Sequence, residues 1–219
     1  MQVEIWSDVV CPFCYLGKRR FERALDGFEH RDQVDVVYRS FELDPTASRE
    51  VTTPTVESLA HKYGMSVAEA DRSQRQMEKH AEQDGLAFDM ADLRSGNTRD
   101  AHRLLHLAKD RGLQGELAER LHSAYFSQRR SVFDAATLTE IAVEAGLDRV
   151  EAVETLGSDA YDDSVQQDEA LGHAFGATGV PFFVINRKYG ISGAQPTETI
   201  AAVLDKVWAE DQGRTQGLH

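Results

Sequence analysis

Cysteine is scarce in this chain of 219 residues, which has two, Cys11 and Cys14, both in the stretch VVCPFCYLGKR. A structural zinc site needs about four ligands. No second C-x-x-C follows, and no histidines stand at finger-like spacing from the pair. The sequence therefore favours a redox pair, with a metal site or two inert core thiols as the alternatives.

Long apolar runs and a surplus of basic residues are also missing. No segment approaches the ~20 apolar residues that span a bilayer. The 37 acidic and 24 basic residues give a net charge of −13, which argues against nucleic acids and anionic membranes as partners, because a phosphate-binding surface needs a basic patch. The start, MQVEIWSDVV, lacks the features of a signal peptide. We expect a cytoplasmic protein, in which thiols stay reduced and a purely structural disulfide is disfavoured.

The two ends of the chain predict strands. VEIW predicts a strand, a helix is expected from Pro12, and VDVVYRSF (34–41) predicts a second strand. Near the C-terminus, PFFVI (181–185) and KYGISG (188–193) predict two strands joined by a tight turn, and PTETIAAVLDKVWAE predicts a last helix. The predicted fold class is α/β, in the order β-α-β, a helical block, then β-β-α.

The middle of the chain predicts about six helices and no strand. SVAE has the form of a capping box that begins at Ser66, and Asn97 and Asp134 are candidate N-caps. A helical block inserted into a small four-stranded sheet would explain the length. The predicted boundaries are a discontinuous domain of residues 1–44 and 176–211, a helical insertion of residues 45–175 and a disordered tail of residues 212–219.

The position of the cysteine pair, after a strand and at the start of a helix, predicts thiol reactivity. The unsatisfied N–H groups and the positive end of the helix dipole favour thiolate over thiol at the first sulfur. In this interpretation Cys11 is the exposed nucleophile and Cys14 is the shielded resolving thiol. Pro12 and Phe13 would tune the redox potential.

A second motif, GVPFFV, places Pro181 at the start of a strand. A proline there cannot donate to the ladder. One hypothesis is a cis Val180–Pro181 bond that faces the cysteines and leaves the strand edge clear, so that a substrate backbone can pair with Val180. The alternative is an ordinary trans proline that begins the strand.

Three stretches resemble the thioredoxin superfamily, most closely its DsbA-like branch and the FrnE-like proteins within it. They are SDVVCPFCYLGKRRFE, NTRDAHRLLHLA and GVPFFVINRKYGISGAQP, and the resemblance extends over residues 2–208. It implies a thioredoxin-like fold with a helical insertion and dithiol–disulfide exchange. It also implies that Cys11 attacks, that Cys14 resolves, and that Pro181 is the cis-proline.

Further supporting residues are suggested on the same basis. His102 and His106 share a helix face, which suits either a metal site or a structural arrangement in which one histidine packs against the core and the other is solvated. The resemblance implies that this helix closes over the cysteines, with Asn97 and His102 lining the cleft. Many thioredoxin-like proteins have a buried carboxylate six residues before the first cysteine. Ile5 occupies that position here, and Asp8 is the acid nearer the motif.

The expected function is that of a thiol–disulfide oxidoreductase acting on protein or small-molecule thiols, as a monomer or homodimer. It would need no metal or organic cofactor. Glutathione, as a co-substrate, or a thioredoxin-type partner would return the cysteine pair to its starting redox state. One alternative is the class of 2-hydroxychromene-2-carboxylate isomerases and kappa glutathione transferases. These share the fold, use bound glutathione and typically carry a serine where Cys11 stands. A third hypothesis is a chaperone-like peptide binder that uses the Val180 edge.

Overall fold

Six strands, nine α-helices and one short 3₁₀ helix (Arg31–Gln33) are present in residues 1–50 and 52–216, which are the residues that the computed structural model describes. In chain order they are β1 (Gln2–Ser7), α1 (Pro12–Asp26), β2 (Asp35–Ser40), β3 (Thr53–Pro54), α2 (Thr55–Tyr63), α3 (Val67–Gln83), β4 (Arg94–Ser95), α4 (Arg99–Asp110), α5 (Gln114–Phe126), α6 (Ala135–Glu144), α7 (Arg149–Leu156), α8 (Asp162–Ala174), β5 (Phe182–Ile185), β6 (Tyr189–Ser192) and α9 (Thr197–Gln216).

Both ends of the chain contribute to one four-stranded sheet in the order β2-β1-β5-β6. Strand β1 is parallel to β2 and antiparallel to β5, and β5 is antiparallel to β6. Residues 186–188 join β5 to β6, and the Lys188 N–H donates to the Ile185 carbonyl at 3.0 Å. Asn186 and Arg187 have φ values of 48° and 54°, the positive values that the central residues of a type I′ turn require. The predicted α/β class and the β-α-β and β-β-α halves are confirmed.

The middle of the chain differs in detail from the prediction. Seven helices, α2 to α8, lie there within the described residues, where about six were expected. Strands β3 and β4 also pair there, although no strand was predicted. Each has two residues, which is too short to show the alternation that identifies a strand in a sequence.

Local capping explains where several of these helices begin. Ser66 and Glu69 form the predicted capping box of α3, and Asp134 accepts the Thr137 N–H at the start of α6. The predicted N-cap at Asn97 is wrong: Thr98 occupies the N-cap position of α4. The Asn97 side chain accepts the Arg99 N–H two residues on, which is a turn that competes with capping.

The outer edge of strand β2 is covered by the inserted helices. The Gln114 side chain from α5 accepts the Tyr38 N–H at 3.0 Å and donates to the Tyr38 carbonyl at 2.9 Å. The Asp168 carboxylate from α8 accepts the Ser40 N–H at 3.0 Å. An exposed strand edge would be left with unpaired polar groups. The insertion is therefore anchored to the sheet by hydrogen bonds, and the largest apolar cluster includes residues of both parts.

The two faces of the sheet are packed by different helices. On one face Phe21 of α1 contacts Phe183 of β5, with ring centroids 5.8 Å apart. On the other face Trp6 lies beneath α8, where its indole N–H donates to the Asp168 carbonyl at 2.7 Å. Trp6 and Phe182 also belong to a smaller apolar cluster. Burial on both faces explains why the adjacent residues Ile5 and Trp6, which point to opposite faces of β1, are both apolar.

Helix α9 continues through 212–216, part of the segment predicted as a disordered tail, and 217–219 lie outside the described residues. None of the helices in the described residues is both long and apolar enough to cross a membrane. The division of the chain at residues 44 and 176 stays a prediction.

The close approach of α8 to Trp6 predicts the effect of Gly172→Ala. A Cβ at residue 172 would lie 2.7 Å from the Trp6 ring. Alanine favours a helix interior by about 1 kcal/mol over glycine, whereas overpacking costs about 1–3 kcal/mol. Since the indole is fully buried, we expect a net loss in the free energy of unfolding, measured in urea.

Gly27→Ala is the matched control, because a Cβ at residue 27 would come no nearer than 3.8 Å to any atom. A Gly172→Ala protein as stable as the Gly27→Ala protein would contradict the packing argument.

Candidate active site

The cysteine pair lies where β1 passes into α1. Cys11 is the N-cap residue of α1 with extended backbone (φ −91°, ψ 113°), and Pro12 is the first helical residue. The Cys11 N–H donates to the Asp8 carbonyl at 3.1 Å, and the Cys14 N–H donates to the Cys11 carbonyl at 3.0 Å. Both thiols are free. The first turn of α1 thus holds two thiols at the end of the helix where N–H groups are unpaired.

Both thiols are buried. Cys11 is 4% exposed and Cys14 is 2% exposed, whereas Phe13 between them is 50% exposed. The expectation of an exposed Cys11 is wrong. A segment that is distant in the sequence lies against the thiol. Its Val180 carbonyl accepts a hydrogen bond from Cys11 Sγ at 3.6 Å.

Burial and neighbouring groups change the pKa of the Cys14 thiol. Burial raises the pKa of Cys14 well above its ordinary value, and the Cys11 side chain raises it further through a hydrogen bond and its charge. The Asp8 backbone N–H and the Ser7 side chain oppose this change. The raised pKa keeps Cys14 protonated at neutral pH, as a resolving thiol would be.

The segment that faces the cysteines packs against the backbone of α1. The Val180–Pro181 peptide bond is cis, and the Pro181 carbonyl accepts the N–H of Gly193, the residue after β6, at 2.8 Å. A Cβ at Gly17 would lie 2.8 Å from Cγ of Pro181. Glycine at residue 17 thus allows the proline ring to lie directly on α1, one turn beyond the cysteines.

The structure brings Asp8 and His102 together. Asp8 is 1% exposed, and its carboxylate accepts the Leu43 N–H at 2.8 Å. Asp8 Oδ1 lies 3.3 Å from Nε2 of His102, which is also 1% exposed. Ile5, at the position where the resemblance implies a carboxylate, is an apolar core residue.

Asn97 and His106 make their hydrogen bonds elsewhere. Asn97 bonds to Arg99 through its side chain and to the Ser48 carbonyl through its N–H. His106 is buried like His102, so the expectation that one of the two is solvated is wrong. Its Nε2 lies 3.2 Å from Asp168 Oδ2, beside the sheet edge. No group of three or more His, Cys, Asp or Glu side chains in the described parts of the chain is arranged to hold a metal ion.

The sequence did not reveal the buried polar side chains between α1 and α5. His122 of α5 stacks on the Tyr15 ring at 5.0 Å, and its Nδ1 lies 2.8 Å from the Ala118 carbonyl. Lys18 is buried between Glu22 and Glu119, at 2.5 Å from each. Burial and the Lys18 charge lower the pKa of His122 to about 4. These contacts join segments about 100 residues apart, so the sequence does not show which residues meet. It shows only that the residues occupy inward positions on α1 and α5.

Comparison with known proteins decides the family. The model of the DSBA-like thioredoxin domain matches residues 2–205. The chain belongs to this family. The crystal structure of a probable DsbA oxidoreductase, SCO1869 from Streptomyces coelicolor, is 48% identical, with a TM-score of 0.92 over 96% of this chain and 91% of that one.

Two further proteins extend the comparison. The Bacillus subtilis (strain 168) protein YwbO is 29% identical over 189 residues, 84% of this chain and 86% of YwbO. The cytosolic disulfide reductase DsbM from Pseudomonas aeruginosa, solved with GSH, shares the fold at 17% identity, with a TM-score of 0.64 over 95% of this chain and all of DsbM. This chain thus has relatives that match most of its length.

The contact between Gly17 and Pro181 predicts the behaviour of Gly17→Ala. The added methyl group must displace the proline ring, and the Val180 carbonyl with it. Removal of this acceptor from Cys11 Sγ should expose the thiol and favour its thiolate. We expect faster alkylation of Cys11 by iodoacetamide and a loss of about 1–3 kcal/mol in the free energy of unfolding.

Gly179→Ala serves as the matched control, because a Cβ at residue 179 would meet no atom within 4 Å. Equal alkylation rates in the two variants would show that Gly17 does not position the Val180 carbonyl.

The lowered pKa of His122 predicts a pH dependence of stability. The unfolded chain takes up a proton near pH 6.5, whereas folded His122 takes it up only near pH 4. Stability that is present above pH 6.5 should therefore fall as the pH drops through this window, by up to a few kcal/mol. His122→Gln should flatten this loss in urea unfolding at pH 7, 6, 5 and 4.

His61, which is exposed on α2, provides the control substitution His61→Gln. If the His122→Gln and His61→Gln proteins lose stability in parallel with the natural protein, the assignment to His122 is wrong.

Proposed function

We propose that this DSBA-like protein is a thiol–disulfide oxidoreductase in which Cys11 and Cys14 exchange a dithiol with a disulfide. The observation that carries the proposal is the arrangement at the start of α1. Two free thiols lie three residues apart there, and Cys11 Sγ is 3.6 Å from the Val180 carbonyl. Membership of the DSBA-like family supports the same chemistry.

In the reducing direction, Cys11 thiolate attacks one sulfur of a substrate disulfide. The substrate S–S bond breaks, a mixed disulfide forms, and the first substrate sulfur leaves as a thiolate that takes up a proton. Cys14 then loses its proton and attacks Cys11 Sγ, and the second substrate sulfur leaves. Two electrons have moved to the substrate, and the Cys11–Cys14 disulfide remains. The oxidising direction is the reverse of these steps.

The raised pKa of Cys14 suits the order of these steps. A protonated Cys14 cannot attack the mixed disulfide at once, so the intermediate persists until the proton is removed. Phe13, exposed between the cysteines, offers an apolar contact to a substrate. The Val180 segment offers main-chain groups to an extended substrate backbone. Pro12 and Phe13 stay candidates for tuning the potential.

Glutathione is the proposed reductant of the Cys11–Cys14 disulfide, in the cytoplasm. DsbM, which shares the fold, was solved with GSH and is named a cytosolic disulfide reductase. A small thiol also suits a Cys11 that is 4% exposed.

Redox equilibration tests the proposal. The purified protein is equilibrated in graded glutathione buffers, the thiols are alkylated, and the mass is measured. We expect a reversible intramolecular disulfide. In Cys14→Ser, which lacks the resolving thiol, we expect a stable mixed disulfide on Cys11, whereas Cys11→Ser should form none under the same conditions.

A natural protein that forms no Cys11–Cys14 disulfide, or that accumulates a glutathione adduct at Cys11, would overturn the proposal. The glutathione-dependent isomerase or transferase function would then replace it. Peptide binding that survives replacement of both cysteines by serine, with no turnover in the natural protein, would instead indicate the chaperone-like binder.

A further inference from the structure

One arginine of α1 bonds to two segments that are distant in the sequence. Arg20 donates from Nε and Nη2 to Asp84 Oδ2, at 2.9 and 2.6 Å. Its Nη1 donates to the Ala194 carbonyl at 2.7 Å. Asp84 is the C-cap residue of α3, and Ala194 lies just beyond β6. Because the planar guanidinium holds its N–H groups in a fixed fork, the positions of these two partners depend on each other.

Ala194 is adjacent to the residue that holds the segment beside Cys11. The Gly193 N–H donates to the Pro181 carbonyl at 2.8 Å. The carbonyl one residue earlier, that of Val180, accepts the hydrogen bond from Cys11 Sγ. A continuous set of backbone contacts therefore leads from the guanidinium to the thiol.

The contact between Gly17 and Pro181 lies on the same side of α1. Residues 17 and 20 are three apart, which makes them neighbours on a helix surface. Gly17 allows the Pro181 ring to lie on the backbone of α1, and Arg20 holds the end of the neighbouring strand β6. The hairpin is thus fixed to α1 at two points, by close packing at one and by a charge-assisted hydrogen bond at the other.

Asp84 keeps the guanidinium in this orientation. It is 7% exposed, and its Oδ1 accepts a further bond from Arg23 at 3.1 Å. A buried carboxylate that lost its donors would be left uncompensated, so Asp84 and Arg20 hold each other in place. Since α3 is one of the inserted helices, the insertion contributes to the position of the hairpin beside the cysteines.

We propose that Arg20 is a positioning residue for the Cys11 thiol. By joining Asp84 to Ala194, it keeps the Val180 carbonyl in contact with the sulfur. A thiol that donates to a carbonyl is stabilised in its protonated form, so this contact restrains both the ionisation of the sulfur and access to it. The inference rests on the proposed function and deepens it, because the restrained thiol is the one that would attack a substrate disulfide.

A direct effect of the Arg20 charge on the thiol would have the opposite sign. A nearby cation favours the thiolate, so removal of the charge alone would slow alkylation. The charge is also remote from Cys11, roughly 14 Å along the helix at 1.5 Å per residue. Salt screens exposed charges beyond about 8 Å. The direction of a change in the alkylation rate therefore distinguishes positioning from charge.

Alkylation of Cys11 tests the proposal without requiring turnover. The rate of its reaction with iodoacetamide is measured from pH 5 to 9 in the Cys14→Ser protein, where a single thiol remains. Addition of Arg20→Gln should raise the rate at neutral pH about two- to tenfold, which is the value of one hydrogen bond, and shift the profile to lower pH. Arg20→Lys keeps the charge beside Asp84 but lacks the planar fork, so it should also raise the rate.

Arg23→Gln is the matched control. Arg23 lies three residues further along α1 and is also bonded to Asp84, and within the described residues its hydrogen bonds go only to Asp84. Its replacement should leave the alkylation profile unchanged. Equal rates in Arg20→Gln, Arg23→Gln and the parent protein, or a slower rate in Arg20→Gln, would overturn the proposal. A failed redox titration would not affect this test, because alkylation reports the thiolate whether or not the pair cycles.

Hydrogen exchange of the Gly193 amide, followed by NMR, gives a second measurement that needs no reactive thiol. This amide donates to the Pro181 carbonyl, so we expect it to be protected in the natural protein and to exchange several-fold faster in Arg20→Gln. A general loss of stability would accelerate exchange in Arg23→Gln as well, and the comparison of the two variants removes that contribution. Equal protection of Gly193 in both variants would show that Arg20 does not hold the hairpin.

Discussion

The Asp8 residue joins three segments that are distant in the sequence. Its carboxylate accepts the N–H of Leu43, 35 residues away, and is bonded to His102, 94 residues away. Its carbonyl accepts the Cys11 N–H. All of these groups are removed from water, so each lost partner would leave a buried polar group unpaired. The position of the first cysteine therefore depends on the docking of the inserted helix α4 as much as on strand β1.

A second set of buried charges attaches the insertion to the other face of the sheet. Arg39 donates to Glu4 at 2.6 and 3.0 Å and to Asp168 of α8 at 2.8 Å. Burial of three charges is costly, and the bonds offset that cost only in one geometry. Such a network contributes more to the placement of α8 than to net stability. Because the Asp168 carbonyl also accepts the Trp6 indole N–H, α8 can occupy one register on the sheet.

The features that the sequence predicted are local ones. Pro12 begins a helix because its ring and missing N–H suit the first turn, and Ser66 begins another because its capping partner is three residues away. The turn at residues 186–187 follows from the two strands that it joins. These interactions span few residues, so the sequence displays both partners. The fold class followed from the order of the predicted strands and helices along the chain.

The features that were missed depend on contacts across the fold. The burial of Cys11 depends on Val180, 169 residues away. The N-cap of α4 is a local exception, since the Asn97 side chain accepts the Arg99 N–H and Thr98 occupies the N-cap position. His122 has no motif around it, and only the docking of α5 places its ring on Tyr15. Periodicity shows that a side chain faces inward, but not which polar group meets it there.

The burial of Cys11 limits what the proposed exchange can accept. Attack on a disulfide requires the thiolate and the two substrate sulfurs to approach one line, yet Cys11 is 4% exposed and Phe13 beside it is 50% exposed. A disulfide on a flat protein surface would meet the Phe13 ring before it met the sulfur. A small disulfide, or one on an extended segment that can enter beside Val180, avoids that collision. Access to the sulfur, rather than the reactivity of the helix terminus alone, would then select the substrate.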